Sequence, residues 1–194
     1  MIHNYCAELK EVLIRPLHRY DIEYLRKWRN NGELSRYLRN IGKVDKDAQI
    51  RWYEGYLKDS NTIFFAIDFD RKKTVGSLAI YNFNQQECEI GKIVIGDNEI
   101  KDRKVAERAF LMAMGVANHF LGIDCFKLSV HEDNKVARHI YTKLGFEKIG
   151  EHPFPNGGKE LEMVADIEYV KGQFDVGEIV FFEDNSAITQ NWSM

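Results

Sequence analysis

The chain has 194 residues, 44% of them hydrophobic and 12% aromatic, and carries a formal charge of −3 at pH 7. That length suits one domain with a sizeable core and a small appendage. Slight net acidity without a long Lys/Arg run argues against nonspecific nucleic-acid binding, so attraction of a charged substrate has to be local.

The N-terminal MIHNYCAELK has no apolar signal core, and no run of about 18 apolar residues follows, so neither secretion nor membrane spanning is expected and the chain reads as cytoplasmic. Glu11 to Leu17 predicts a first strand. Asp21 can then cap a helix bearing Leu25 and Trp28 and stopping at Asn30-Asn31-Gly32. A second helix is expected from about Asp47 to Lys58, with Ile50, Tyr53 and Leu57 on one face and Trp52 and Tyr56 as an i, i+4 aromatic pair.

Ile63, Phe65, Ile67 and Phe69 alternate as a strand, followed by two more, Thr74 to Phe83 and Glu87 to Ile95, across polar turns. Arg103 to Leu121 is the strongest helix, with an apolar face that includes Ala109, Phe110, Ala113 and Ala117. A strand at Phe126 to Val130, a helix after Asn134, a strand through Phe146 and a last strand across Leu161 to Tyr169 complete the order. Residues 1–170 read as one domain and 171–194 as an extension, whose Glu178 to Phe182 run predicts an edge strand or a contact in a homodimer. Cys6, Cys88 and Cys125 are odd in number and lack zinc-site spacing, so reduced thiols and no metal are expected.

The densest local signal is Lys127 to Lys148, KLSVHEDNKVARHIYTKLGFEK. Asn134 sits where a strand gives way to a helix, Ala137, Ile140, Tyr141 and Leu144 form a helical stripe, and Gly145 is placed as an αL stop. An ordinary N-cap, core stripe and helix stop would explain each residue singly. The joint spacing Asn134, Ala137, Tyr141, Gly145, Phe146 resembles the acetyl-CoA-binding half of the GNAT superfamily of N-acetyltransferases, and the element order over Glu11 to Val170 is similar to that family's. The resemblance implies an α/β (α+β) GNAT fold: a mixed, mostly antiparallel twisted sheet of six to seven strands flanked by about four helices. It also implies acetyl-CoA as acyl-donor cosubstrate.

In that family a small-residue loop opens the central helix and wraps the CoA pyrophosphate with backbone amides, where free N–H groups and the helix dipole favour an anion. The matching segment here is Lys101-Asp102-Arg103-Lys104-Val105-Ala106. Lys101 stands where the family has Gln or Arg, and Lys104 where it usually has glycine. If the loop needs positive φ at Lys104, a strain of about 1 kcal/mol is expected. A solvated charged helix start is the ordinary reading of such a cluster, yet cations at a helix N-terminus oppose the dipole, which a bound anion would compensate.

Acetyl transfer needs a neutral amine, an oxyanion donor and a proton for the leaving thiolate. The resemblance assigns Tyr141 as general acid; a tethered core tyrosine is the alternative. Glu87 and Glu89 share one strand face. Glu89 best matches the family's position for receiving the amine proton, and an exposed glutamate paired with a lysine explains it nearly as well; Glu87 is the neighbouring acceptor-side carboxylate. Main-chain groups of Ile93, Val94 and Ile95 are implied to bind the pantetheine as an added strand does, with Asn134 and Ala137 beside the CoA arm.

Trp28 and Arg29 resemble the branch holding ribosomal-protein N-terminal acetyltransferases and nucleotide-amino-sugar N-acetyltransferases, where they would stack on and pair with the acceptor. A core Trp28 and a surface Arg29 are the alternative. Three functions follow: an N-acetyltransferase acting on a small polar amine such as an amino sugar nucleotide, a protein N-terminal acetyltransferase, and a noncatalytic GNAT-like binding module.

Overall fold

Residues 62–69 alternate Ile63, Phe65 and Ile67 with Phe64, Ala66 and Asp68, and all six side chains are buried. A period of two puts the two sets on opposite faces of the sheet, so each face must be covered by a different layer. In the computed structural model, which describes residues 2–38, 42–97, 99–100, 104–155 and 157–185, the strands are β1 (Tyr5–Leu9), β2 (Val12–Pro16), β3 (Thr62–Phe69), β4 (Lys73–Tyr81), β5 (Glu87–Ile95), β6 (Cys125–His131), β7 (Glu147–Pro153), β8 (Lys159–Asp166) and β9 (Val180–Glu183). They form one sheet in the order β7-β8-β6-β5-β4-β3-β2-β1-β9. Among the described residues only β5 and β6 pair in parallel.

The helices are α1 (Ile22–Arg29), α2 (Gly32–Ser35), α3 (Lys46–Lys58), α4 (Val105–Leu121), α5 (Lys135–Lys143) and α6 (Ile167–Gln173). Side chains of α4, α5 and α6 join Ile63, Phe65 and Ile67 in the larger core. On the other face Ile22 of α1 and Tyr53 and Tyr56 of α3 cover Phe64, Ala66 and Ala79. The expected Trp52 and Tyr56 pair is stacked, with ring centroids 6.0 Å apart.

Nine strands stand where six to seven were expected, and six α-helices among the described residues where about four were. One strand beyond that count, β1, is folded back on β2 by a tight turn with Lys10 at φ 57°, and the other, β9, overlaps the Glu178 to Phe182 run read as an edge strand or dimer contact and pairs with β1 at the sheet edge. The strand expected to run to Tyr169 ends at Asp166, because the Asp166 carboxylate accepts the Glu168 amide at 2.8 Å and starts α6. Asn31 likewise begins a turn of helix instead of ending one: its Oδ1 accepts from the amides of Glu33 and Leu34.

Asp21 does not cap α1 with its side chain. Its carboxylate is fully buried and accepts from the Arg15 guanidinium at 2.8 and 3.0 Å and from the His18 amide at 2.9 Å. Arg15 also reaches Asp68 at 2.7 Å and Thr74 at 3.0 Å, tying the entry of α1 to β2, β3 and β4. Removing one member of such a buried set costs about 3–5 kcal/mol, since a charge is left uncompensated.

The buried residues of α4 extend well beyond one stripe, to Leu111, Met112 and Val116. The C-terminal segment covers that outer side. A Cβ at Gly115 would stand 2.7 Å from the Phe181 ring, so the glycine is what lets the segment lie so close to the helix.

Candidate active site

The site begins with a break in the sheet. β5 and β6 pair only through Glu87↔Cys125, Cys88↔Phe126 and Glu89↔Lys127, although β5 continues to Ile95 and β6 to His131. Beyond Glu89 the two strands diverge into a wedge, and on its β6 side the main chain of 90–95 has no strand partner among the described residues. A bulge in β5 accompanies the divergence: Ala79 pairs with Gly91 and Ser77 with Val94, so β5 carries an extra residue, and Lys92 takes a left-handed φ of 52°. Bulges bend the strand that carries them and take backbone groups out of the ladder.

At the vertex stands Glu89. Cys88 and Ile90 on either side are in the larger core, so the Glu89 side chain emerges on the α3 side of the sheet. The Asn82 amide donates to its Oε1 at 3.1 Å. Tyr81 stands directly opposite Glu89 across β4 and β5, with its phenol on the same face and its hydroxyl over Gly91. Burial, and then the Glu89 charge and hydrogen bonding, raise the Tyr81 pKa above the usual phenol value. Asn84 sets this register by accepting from the amides of Gln86 and Glu87 at 2.9 and 3.0 Å.

Tyr141 lies on the other face, in the larger core, with its ring 4.9 Å from that of Phe110 and 6.0 Å from that of Phe146. Its pKa is raised by burial, so the phenol stays protonated at neutral pH.

The N-terminus of α4 has no side-chain cap, and Lys104 occupies the cap position at φ 55°, ψ 26°. The strained conformation normally left to glycine is therefore adopted by a lysine. Val105 is buried and Ala106 half-buried in the first turn, where a helix start points its backbone amides outward along the axis. Lys101 and Arg103 lie outside the described residues.

Not every expected residue is given over to a ligand. The Glu87 carboxylate is held by Lys127 at 2.7 Å, an ordinary ion pair between neighbouring strands. Asn134 Oδ1 accepts the Ala137 amide at 3.2 Å, the N-cap arrangement, which leaves its Nδ2 facing outward from that bond. Ala137 packs against the larger core, as do Ile93 and Ile95. Val94 is half-buried beside them on the wedge edge.

Trp28 stacks on Tyr24 and lies over Gly96 at the end of β5. Arg29 is half-buried, and desolvation lowers its pKa from the usual arginine value. Beyond α2, the Tyr37 hydroxyl donates to the Asp133 carbonyl at 3.1 Å and its ring sits 5.4 Å from that of His131. His131 in turn bonds the Gly157 carbonyl and accepts the Asp133 amide, which joins the β6–α5 turn to the β7–β8 turn.

Tyr81, Asn82, Tyr37, Gly91 and Gly96 are the site residues that the sequence reading missed. The signal for Tyr81 was the hairpin register: with the Asn84 turn fixed, the last residue of β4 falls opposite Glu89.

The family model described as the Acetyltransferase (GNAT) domain matches residues 11–147. A spermidine N(1)-acetyltransferase of Escherichia coli (strain K12) is 28% identical over 140 residues, covering 72% of this chain and 75% of that protein. A solved spermidine N-acetyltransferase from Vibrio cholerae in complex with CoA and spermine superposes with a TM-score of 0.74 at 20% identity, over 83% of this chain and 98% of that one. A nucleotide-linked sugar GNAT superposes with a TM-score of 0.70 at 20% identity, over 85% and 92%.

Proposed function

Because this chain belongs to the GNAT family of acetyltransferases, with acetyl-CoA as cosubstrate, we propose that it acetylates a primary amine of a small polycationic acceptor, a polyamine in chemical class, by direct attack. Acetyl-CoA supplies the activated acyl group as a thioester. The unpaired β5 edge at Ile93, Val94 and Ile95 holds the pantetheine arm and offers an oxyanion donor, while Lys104, Val105 and Ala106 take the pyrophosphate at the start of α4. Glu89 removes the amine proton directly or through one water, and Tyr141 protonates the departing thiolate.

What supports this chemistry is that Glu89 emerges on the α3 side of the sheet, while Tyr141, a phenol kept protonated by burial, lies in the larger core on the other face. An acid and a base so separated can act on the two ends of one transfer without neutralising each other.

The acceptor follows from charge. On the α3 side β8 carries Glu160 and Glu162 at positions paired with His131 and Ser129 of β6; Glu162 also meets His152 of β7 at 2.7 Å, and Lys127 of β6 is paired with Glu87. An acidic surface concentrates cationic amines and repels the diphosphate of a nucleotide-linked amino sugar, the acceptor expected from Trp28 and Arg29. Two relatives named for spermidine acetylation support the same choice.

The test is thiol release from acetyl-CoA with linear polyamines, nucleotide amino sugars and peptide N-termini side by side. Polyamines should show the highest kcat/KM, and Tyr141→Phe should lower kcat by about 10²-fold with little change in acetyl-CoA affinity. Faster turnover of an amino sugar nucleotide or a peptide overturns the acceptor, and an unchanged kcat in Tyr141→Phe overturns the acid.

A further inference from the structure

A carboxylate that takes a proton from an amine works only if it is aimed at it, and Glu89 is gripped by groups outside the family's recognisable motifs. Consecutive residues at the end of β4 converge on it. The Asn82 side-chain amide donates to Oε1 at 3.1 Å, and Tyr81 occupies the directly opposed cross-strand position, on the same face of the sheet.

Three features of the backbone serve that placement. Asn82 sits at a left-handed φ of 49°, which turns the chain sharply after Tyr81. Gly91 leaves room for the phenol to cross β5, since a Cβ there would stand 2.9 Å from the Tyr81 hydroxyl. Lys92, at the left-handed position of the bulge, lays its ammonium 4.3 Å from the centre of the Tyr81 ring and 5.3 Å from that of Phe64. A cation over the ring pins the aromatic plane while the hydroxyl is left to work at the edge.

We infer that Tyr81 is a positioning residue, which with Asn82 holds the Glu89 carboxylate at the vertex of the wedge in the orientation that meets the acceptor amine. The inference rests on the reading of Glu89 as the group that takes the amine proton. It assigns Gly91 and Lys92 the supporting parts: one admits the Tyr81 phenol and the other fixes its ring.

The distinction from a merely packed tyrosine is energetic coupling. If Tyr81 acts only through Glu89, removing its hydroxyl matters while Glu89 is a carboxylate and ceases to matter once Glu89 is an amide. The experiment is a double-mutant cycle of Tyr81→Phe and Glu89→Gln, read as kcat and KM for acceptor and acetyl-CoA, with thermal unfolding of each protein. Tyr81→Phe keeps the ring under Lys92, so the fold is retained. It should lower kcat by about tenfold with the KM for acetyl-CoA unchanged, Glu89→Gln should lower kcat by about 10²-fold, and the double variant should match Glu89→Gln alone.

Gly91→Ala is the second route to the same state, with Tyr81 intact but displaced, and should reproduce the kcat loss of Tyr81→Phe. An impaired Glu89→Gln combined with multiplicative effects in the double variant, or an unchanged kcat in Tyr81→Phe, overturns the inference and leaves the reading of Glu89 standing. Full kcat in Glu89→Gln instead overturns Glu89 as the base and this inference with it.

Discussion

The Trp28 indole lies across Gly96 so closely that a Cβ on the glycine would stand 1.8 Å from Trp28 Nε1. Trp28 is in the last turn of α1 and Gly96 directly follows β5, whereas Tyr37, just past α2, is bonded to Asp133 in the turn after β6. The stretch containing α1 and α2 is thus anchored at both rims of the wedge. It forms a wall above the diverging strands, on the side where Glu89 emerges.

Gly96→Ala should therefore push Trp28 off the β5 rim. The cost of forcing a side chain into a packed contact is about 1–3 kcal/mol, and thermal unfolding should register it. Because the displaced wall borders the acceptor side, the acceptor KM should rise more than the KM for acetyl-CoA. A variant with the melting temperature and both KM values of the parent would show that the contact does not hold the wall.

Lys104 pays about 1 kcal/mol for its left-handed backbone. Lys104→Gly relieves that strain but adds freedom to the unfolded chain worth about 0.5–1 kcal/mol, so stability should change by less than about 1 kcal/mol. Binding is expected to respond instead. Loss of the cation at the α4 N-terminus should weaken acetyl-CoA binding by about tenfold at low salt, and the two proteins should converge near 1 M salt, where screening acts within about 3 Å. Equal affinities at low salt would exclude Lys104 from the phosphate site.

His3 links stability to acid. It is buried against Phe65, with Nε2 bonded to the Phe64 carbonyl at 3.0 Å and Nδ1 without a partner among the described residues. Desolvation lowers its pKa from 6.5 to about 4. Between those values the unfolded chain binds the extra proton and the folded chain does not, so stability is full above about pH 6.5 and falls as pH drops towards 4. The loss should be about 3 kcal/mol. Denaturant unfolding at pH 7 and pH 4.5 should show it, and His3→Leu should have a flatter acid limb; an equally steep limb would assign the loss elsewhere. Burial also lowers the pKa of His18, which adds a smaller slope of the same sign.

Much of the fold was legible because its signals are local. The alternation of Glu87 to Ile95 matches β5 end for end. The apolar run before Gly122 and the Asn134 cap place α4 and α5 within a residue or two, and Gly145 takes the expected left-handed φ, at 89°. Short-range spacing fixes these elements since turns, caps and helix faces are made by residues within about four positions of one another. The roles proposed for Tyr141, Glu89 and the α4 start come instead from the resemblance to the GNAT pattern.

What only the tertiary structure decided are relationships between residues distant along the chain. Asp21 looked like a helix cap, but the Arg15 guanidinium, the His18 amide and the Thr74 hydroxyl all donate to its carboxylate, and a buried charge goes to the strongest donors within reach. β9 finds its partner in β1 across almost the whole chain. The wedge exists because β5 and β6, joined through α4, pair for three residues and then part, and no pattern within either strand marks where pairing stops. Tyr81 reaches Glu89 through strand register, and Trp28 finds Gly96 through helix placement; both depend on how whole elements settle against each other, a balance of burial summed over the fold that no single stretch of sequence contains.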